Sequence, residues 1–247
     1  MEKAPVHKKE IPIIMKTIGI IGGLGPQATI DFEQQVHYAA QQYLQQFENR
    51  GYPPMLTYFL RDPPFKLNHD GTIPSVLTPH SHLLEVAKML ATNADFLVIP
   101  SNTPHIFIDE IEKAAGKKVL NMISITIEEI KRRNHRKVGI IAIGHTFRRG
   151  LYQKPLEELR IPWEGIDEKT SKRLDKAIFA VMEGRNTQED AVIAREAVED
   201  LRRKKTDGII LGCSELPLLL KSDVKAKDII NPTELLAKAA VHYAIEG

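Results

Sequence analysis

The chain has a single cysteine, Cys213, in 247 residues. No intramolecular disulfide can form, and a metal site made of several thiolates is excluded. A reducing, cytoplasmic setting is the expectation. Charge of one sign is also lacking: 34 Lys+Arg stand against 32 Asp+Glu, a net of +2. No global basic field points to nucleic acid or to a membrane surface, although small local anion sites stay open. No uninterrupted apolar run reaches the ~18–20 residues of a membrane span. Lys16 interrupts the IPIIMKTIGIIGG stretch, and no small-residue cleavage site closes it. Residues 1–14 are therefore expected to be a flexible N-terminal extension, with Met15 as the structural start. What is present is ordinary globular composition, 43% hydrophobic and 27% charged, in a chain long enough to bury a sizeable core.

Strand and helix patterns alternate along the chain. KTIGII (16–21) is a β-branched run ending at Gly22-Gly23, the pattern of a buried parallel strand. Pro26 suits a first helical position, and the spacing predicts a helix to about Asn49. Further strands are expected at 55–60, 94–101, 118–123, 137–144, 207–212 and 227–231. Helices are expected at 81–93, 104–116, 124–134, 146–159, 169–183, 188–205, 217–221 and 232–246. Such alternation implies an α/β fold with parallel sheets covered on both faces.

An internal repeat is the most informative feature. ADFLVIPSNT (94–103) aligns without a gap on TDGIILGCSE (206–215), 112 residues later. Asp95 falls on Asp207 and Ser101 on Cys213. The preceding helices keep the spacing, with Val86 on Val198 and Met89 on Leu201. KTIGII and RKVGII add Gly19 on Gly139. Two pseudo-symmetric lobes are expected, each a short parallel sheet flanked by helices. Their predicted limits are 15–117 plus 227–247 for the first and 118–226 for the second. Ligands of open parallel sheets bind beyond the carboxyl ends of the strands, so Ser101 and Cys213 should face each other across a cleft.

Cys213 lies in Gly-Cys-Ser-Glu just past a strand, with a helix starting near Pro217. Helix N-termini stabilise anions and lower a thiol's pKa. Ser101-Asn102-Thr103-Pro104 mirrors that site and offers hydroxyl and amide donors for a carboxylate; the same residues before a proline are also ordinary helix caps. GLGPQA (23–28) resembles a dinucleotide turn, but the acidic residue expected some 20 positions on is missing, and a tight turn at the cleft is the better account. Thr146 could bind a carboxylate. Arg148 and Arg149 could be helix-surface charge. Arg61 lies on the cleft side and offers bidentate carboxylate binding. His105 and His145 sit near strand ends, where structural roles predominate.

Taken together, GIIGGLGPQAT, SNTPH and GCSE resemble the aspartate/glutamate racemase family over about residues 15–246. The resemblance implies two α/β lobes and catalysis without pyridoxal phosphate or metal, so no cofactor is expected. It also implies a small amino-acid or dicarboxylate substrate and a homodimer. Two cysteines flank the substrate's α-carbon in that family, one taking the proton and one returning it. By position, Cys213 matches the second. Asn102, Thr103 and Thr146 match carboxylate-holding positions, Ser214 and Glu215 beside the thiol are further candidates for substrate binding, and Lys172 falls at a substrate-binding lysine. Arg61 is the candidate for the substrate arginine, with Lys66 as rival. Asn231 replaces an acidic residue usual before the last helix. Ser101 stands where the family has its first cysteine, and an alcohol is a poor base unless activated. The expected function is a racemase-like enzyme on a small acidic amino acid, aspartate or glutamate. The alternatives are one-base, decarboxylase-like chemistry on the same carbanion, a catalytically impaired amino-acid-binding relative, or a Cys-to-Ser variant.

Overall fold

The computed structural model describes residues 9–10 and 14–246. Two parallel sheets carry the chain. The first has the order β2-β1-β3, from β1 (Ile18–Gly22), β2 (Met55–Phe59) and β3 (Phe96–Val98). The second has the order β5-β4-β6-β7, from β4 (Val138–Ile141), β5 (Trp163–Gly165), β6 (Gly208–Leu211) and β7 (Ile229–Ile230). All residues of β1, β3, β4, β6 and β7 are buried. That accounts for their continuous apolar runs, because helices cover both faces of each sheet.

Ile18, Ile20, Phe96 and Val98 pack against α1 (Pro26–Tyr43) and α10 (Pro232–Glu246). The opposite face, with Ile21, Leu97 and Ile99, packs on α2 (Ser81–Ala91) and α3 (Ile108–Ala115). In the second sheet, Val138, Ile140, Ile210 and Ile230 meet α4 (Met122–Arg132) and α6 (Gln153–Glu158). Ile141, Ile209 and Leu211 meet α7 (Glu168–Met182), α8 (Gln188–Arg203) and α9 (Leu216–Leu220). The short α5 (Gly144–Arg148) follows β4.

The internal repeat reappears in the pairing register. Ile18 lies opposite Phe96 in the first sheet, and Val138 lies opposite Gly208 in the second. The Ile18 N–H donates to the Pro54 carbonyl, as the Val138 N–H does to Pro162, each at 2.9 Å. Asp95 accepts from the Thr17 N–H at 2.7 Å, and Asp207 from the Lys137 N–H at 3.0 Å. The matched aspartates thus tie together the entrances of two neighbouring strands in each lobe.

Several elements differ from the sequence expectation. α1 ends at Tyr43, not near Asn49. The Lys9 N–H takes the Tyr43 carbonyl, and the Gln46 amide holds those of Ala40 and Gly51. Lys9 is thereby docked, while 1–8 and 11–13, the rest of the expected extension except Glu10 and Ile14, lie outside the described residues. The expected strand at 118–123 reduces to a single bridge, Leu97 with Val119. Asn121 stops it by accepting the N–H groups of Ile123 and Ser124 and starting α4. The 146–159 helix is two pieces, broken at Gly150 with φ +71°. Thr103–Phe107 is a 3₁₀ turn leading into α3. β7 pairs with β6, so the chain returns to the first lobe at Asn231 rather than at residue 227. α4 and α10 follow equivalent strand positions and carry the chain from one sheet to the other, α4 packing on the second sheet and α10 on the first.

Candidate active site

Ser101 lies three residues past the end of β3, and Cys213 two residues past β6. Both line a cavity of about 370 Å³ between the lobes. Asn102 and Thr103 join it from the first lobe, Thr146, Ser214 and Glu215 from the second, and Arg61 from the loop after β2. Gly23 and Leu24 form part of the wall. The turn that carries them is tight. Gly25 has φ +86°, and a Cβ there would lie 2.0 Å from Glu215 Oε1. A glycine is needed both for that backbone conformation and for the carboxyl group pressed against it.

The Cys213 thiol donates to Glu215 Oε2 at 2.9 Å, and the Ser214 hydroxyl donates to the same oxygen at 3.3 Å. Glu215 is almost fully buried, and its Oε1 has no hydrogen-bond partner among the described residues. Burial and the neighbouring Glu215 carboxylate push the Cys213 thiol well above its ordinary value. Burial also raises the Glu215 carboxyl, while the bond from Cys213 draws it partly back. Two proton-binding groups that disfavour simultaneous ionisation therefore share one hydrogen bond. Transfer of the thiol proton to Glu215 yields a thiolate with no change in the pair's net charge.

On the facing wall, Asn102 makes no capping bond at the turn it begins. Its Oδ1 accepts instead from the Tyr152 hydroxyl at 2.5 Å, which leaves the amide N–H groups as donors. Burial raises the Tyr152 phenol, so it stays a neutral donor. Thr103 and Thr146 share a hydroxyl–hydroxyl bond of 2.9 Å across the cleft. These neutral donors suit an anionic group brought between the lobes.

The family described as Asp/Glu/hydantoin racemase matches residues 21–240. The chain belongs to that family. It is 25% identical over 235 residues to the broad-specificity amino-acid racemase of Bacillus subtilis (strain 168), covering 91% of this chain and 96% of that one. An aspartate racemase homologue from Pyrococcus horikoshii shares the fold with a TM-score of 0.74 at 26% identity, over 94% of this chain and 100% of that one. The aspartate racemase of Picrophilus torridus gives 0.73 at 24% identity, over 93% and 94% of the two chains. The two-lobed α/β architecture is that of this racemase family.

Within the racemase cleft, Lys172 is the expected residue that the structure does not bring in. It projects from α7, exposed, and its ammonium pairs with Glu168 at 2.7 Å. The part of α7 that lines the cleft is Ile178, Phe179 and Met182. Phe179 is two helical turns beyond Lys172, about 10 Å along the axis, and helical side chains lean back toward the N-terminus. Lys66 is exposed on the same loop as Arg61 and is not part of the cavity wall. Asn231 is a helix cap whose Oδ1 accepts from the Thr233 N–H at 3.1 Å. His105 is buried and its Nε2–H donates to the Ile99 carbonyl; burial lowers its pKa to about 4, so it is neutral and structural. The His145 side chain lies outside the described residues. Arg149 is not loose surface charge: it donates to the Pro74 and Ser75 carbonyls at 3.0 and 2.8 Å.

Sequence reasoning missed Tyr152, Asp175 and the apolar wall. Asp175 accepts the Gly144 N–H at 3.2 Å, and burial raises its carboxyl. Nothing in the local pattern around Tyr152 signals a partner fifty residues away. No cluster of three or more His, Cys, Asp or Glu able to hold a metal occurs among the described residues. No helix there is long and apolar enough to cross a membrane.

Proposed function

We propose that the chain is an amino-acid racemase working without a cofactor, with Cys213 as the group that takes and returns the substrate's α-proton. The observation that carries this reading is the Cys213–Glu215 hydrogen bond at the wall of the cleft, opposite Ser101. Asn102, Thr103, Thr146 and Ser214 hold the substrate carboxylate. Glu215 accepts the thiol proton, the thiolate removes the α-proton, and a carbanion stabilised by the neutral donors results. Return of a proton by Cys213 restores the starting configuration. Return from the Ser101 side, by the hydroxyl or a water it holds, inverts it; that donor then regains a proton from solvent while the Cys213–Glu215 pair releases one to solvent. Inversion is the overall reaction of a racemase, and the expected setting is a cytoplasmic homodimer.

The test is α-proton exchange in D₂O, followed by NMR for a panel of L- and D-amino acids. The wild type should exchange at least one of them, with circular dichroism reporting inversion. Cys213→Ala should remain folded and lose exchange by at least a hundredfold, the scale of a lost acid–base group. Undiminished exchange in that variant would sink the assignment.

A further inference from the structure

The cleft beyond the thiol is mostly apolar. Phe65, Ile143, Ile178, Phe179 and Met182 line it. Ile178 is fully buried, but Phe179 is 44% and Met182 37% exposed. Apolar surface left in water at the mouth of a cavity gains on being covered. A second carboxylate placed there would lose its hydration against hydrocarbon and needs a cation to offset the cost. α7 places no cation on the cavity wall: Lys172 is two turns from Phe179 and paired with Glu168, and Lys176, one turn from it, is exposed and not part of the wall. Arg61 is a cation on the wall, but it is exposed to solvent at the rim, and Asp62 beside it is hydrogen-bonded to His82 at 2.5 Å rather than to Arg61. Glu215 adds a further carboxyl group to the wall. The apolar far wall itself thus offers an acidic group no cation, Arg61 standing out at the solvent-exposed rim. A volume of about 370 Å³ also exceeds what a four-carbon amino acid fills.

We propose, on the reading of the cleft as an amino-acid site, that its far end takes a bulky neutral side chain, of the size of methionine, leucine or phenylalanine, and not a second carboxylate. Phe179 and Met182 are then the specificity-determining residues, closing over the side chain while Asn102, Thr103 and Thr146 hold the carboxylate.

The experiment is calorimetric titration of the folded enzyme with L-methionine, L-leucine, L-phenylalanine, L-aspartate and L-glutamate. At least one neutral amino acid should bind tenfold or more tightly than either acidic one. Phe179→Arg and Met182→Lys, both at half-exposed positions that tolerate a long polar chain, should each cut that ratio at least tenfold. Aspartate or glutamate binding as tightly as every neutral amino acid overturns the proposal. So does a ratio unchanged in both variants, or the absence of binding by any of the five. α-Proton exchange on the same panel reports separately on the chemistry. Tight neutral binding without exchange supports the side-chain preference and removes the racemase reading. Exchange confined to aspartate and glutamate keeps the racemase reading and removes the preference.

Discussion

Glu215 gives Cys213 both a proton acceptor and a repulsive charge, and the two effects can be separated. Burial and the Glu215 carboxylate hold the thiol above its ordinary pKa, so wild-type Cys213 should be alkylated slowly by iodoacetamide at pH 8. Glu215→Gln removes the charge and the acceptor while keeping the shape. The thiolate then forms at lower pH, and the midpoint of the alkylation profile should move toward acid by at least half a pH unit. A midpoint that stays put, or moves toward base, would show that Glu215 is not ionised beside the thiol. Ser101 makes the complementary prediction. Inversion needs an acid–base group on each face of the carbanion, and an alcohol does not titrate near neutrality. Ser101→Cys should raise racemisation at least tenfold, about 1.4 kcal/mol off the barrier, measured by circular dichroism on the best substrate of the panel. A folded variant that gains nothing would place Ser101 outside the proton path. At this scale the thiol was legible in the sequence because Gly-Cys-Ser-Glu follows a strand. Its hydrogen bond to Glu215 was not, because it depends on Gly25, 190 residues earlier, leaving room for the carboxyl.

Between residues and lobes, the two halves use the same devices at matched points. Asp95 and Asp207 tie strand entrances; Asn121 and Asn231 cap the helices that cross between lobes. Asn121 accepts two backbone N–H groups, at 2.9 and 3.1 Å. Asn121→Ala should therefore cost about 1 kcal/mol of stability, the usual value of an N-cap, while Asn121→Asp should cost much less. Urea denaturation of both variants checks the order; equal losses would point to packing rather than capping. This capping logic also explains which elements could be read in advance. β1, β4 and β6 are buried β-branched runs with no competing signal. In 118–123, Asn121 turns the chain into α4 before a ladder can grow, so an apolar run that looks like a strand forms only one bridge. β5 is three residues, Trp163–Gly165, held through its pairing with β4 and half-buried throughout. It carries no pattern of its own.

Across the whole molecule, the cleft is closed by bonds that no single lobe contains. Tyr152 reaches Asn102, Thr103 reaches Thr146, and Arg149 reaches the carbonyls of Pro74 and Ser75. The two crossing helices α4 and α10 also pack against each other, through Met122 and Ile125 with Leu236 and Ala240, so neither lobe can swing freely without disturbing that contact. The Tyr152–Asn102 bond is the most consequential, because it is buried and because it aims the amide. With Oδ1 occupied by the phenol, the amide N–H groups are left for the substrate. Tyr152→Phe removes one hydroxyl and leaves Oδ1 buried without its partner. An unsatisfied buried acceptor costs about 1–3 kcal/mol, which should appear as a lower urea midpoint with an unchanged m-value. The free amide can then rotate to seek another donor, which turns its oxygen toward the substrate carboxylate. KM should rise at least threefold while kcat, set by the thiol, changes less. Loss of stability with an unaltered KM would mean that Tyr152 only ties the lobes together. A raised KM confirms that the tie also orients the group that holds the substrate.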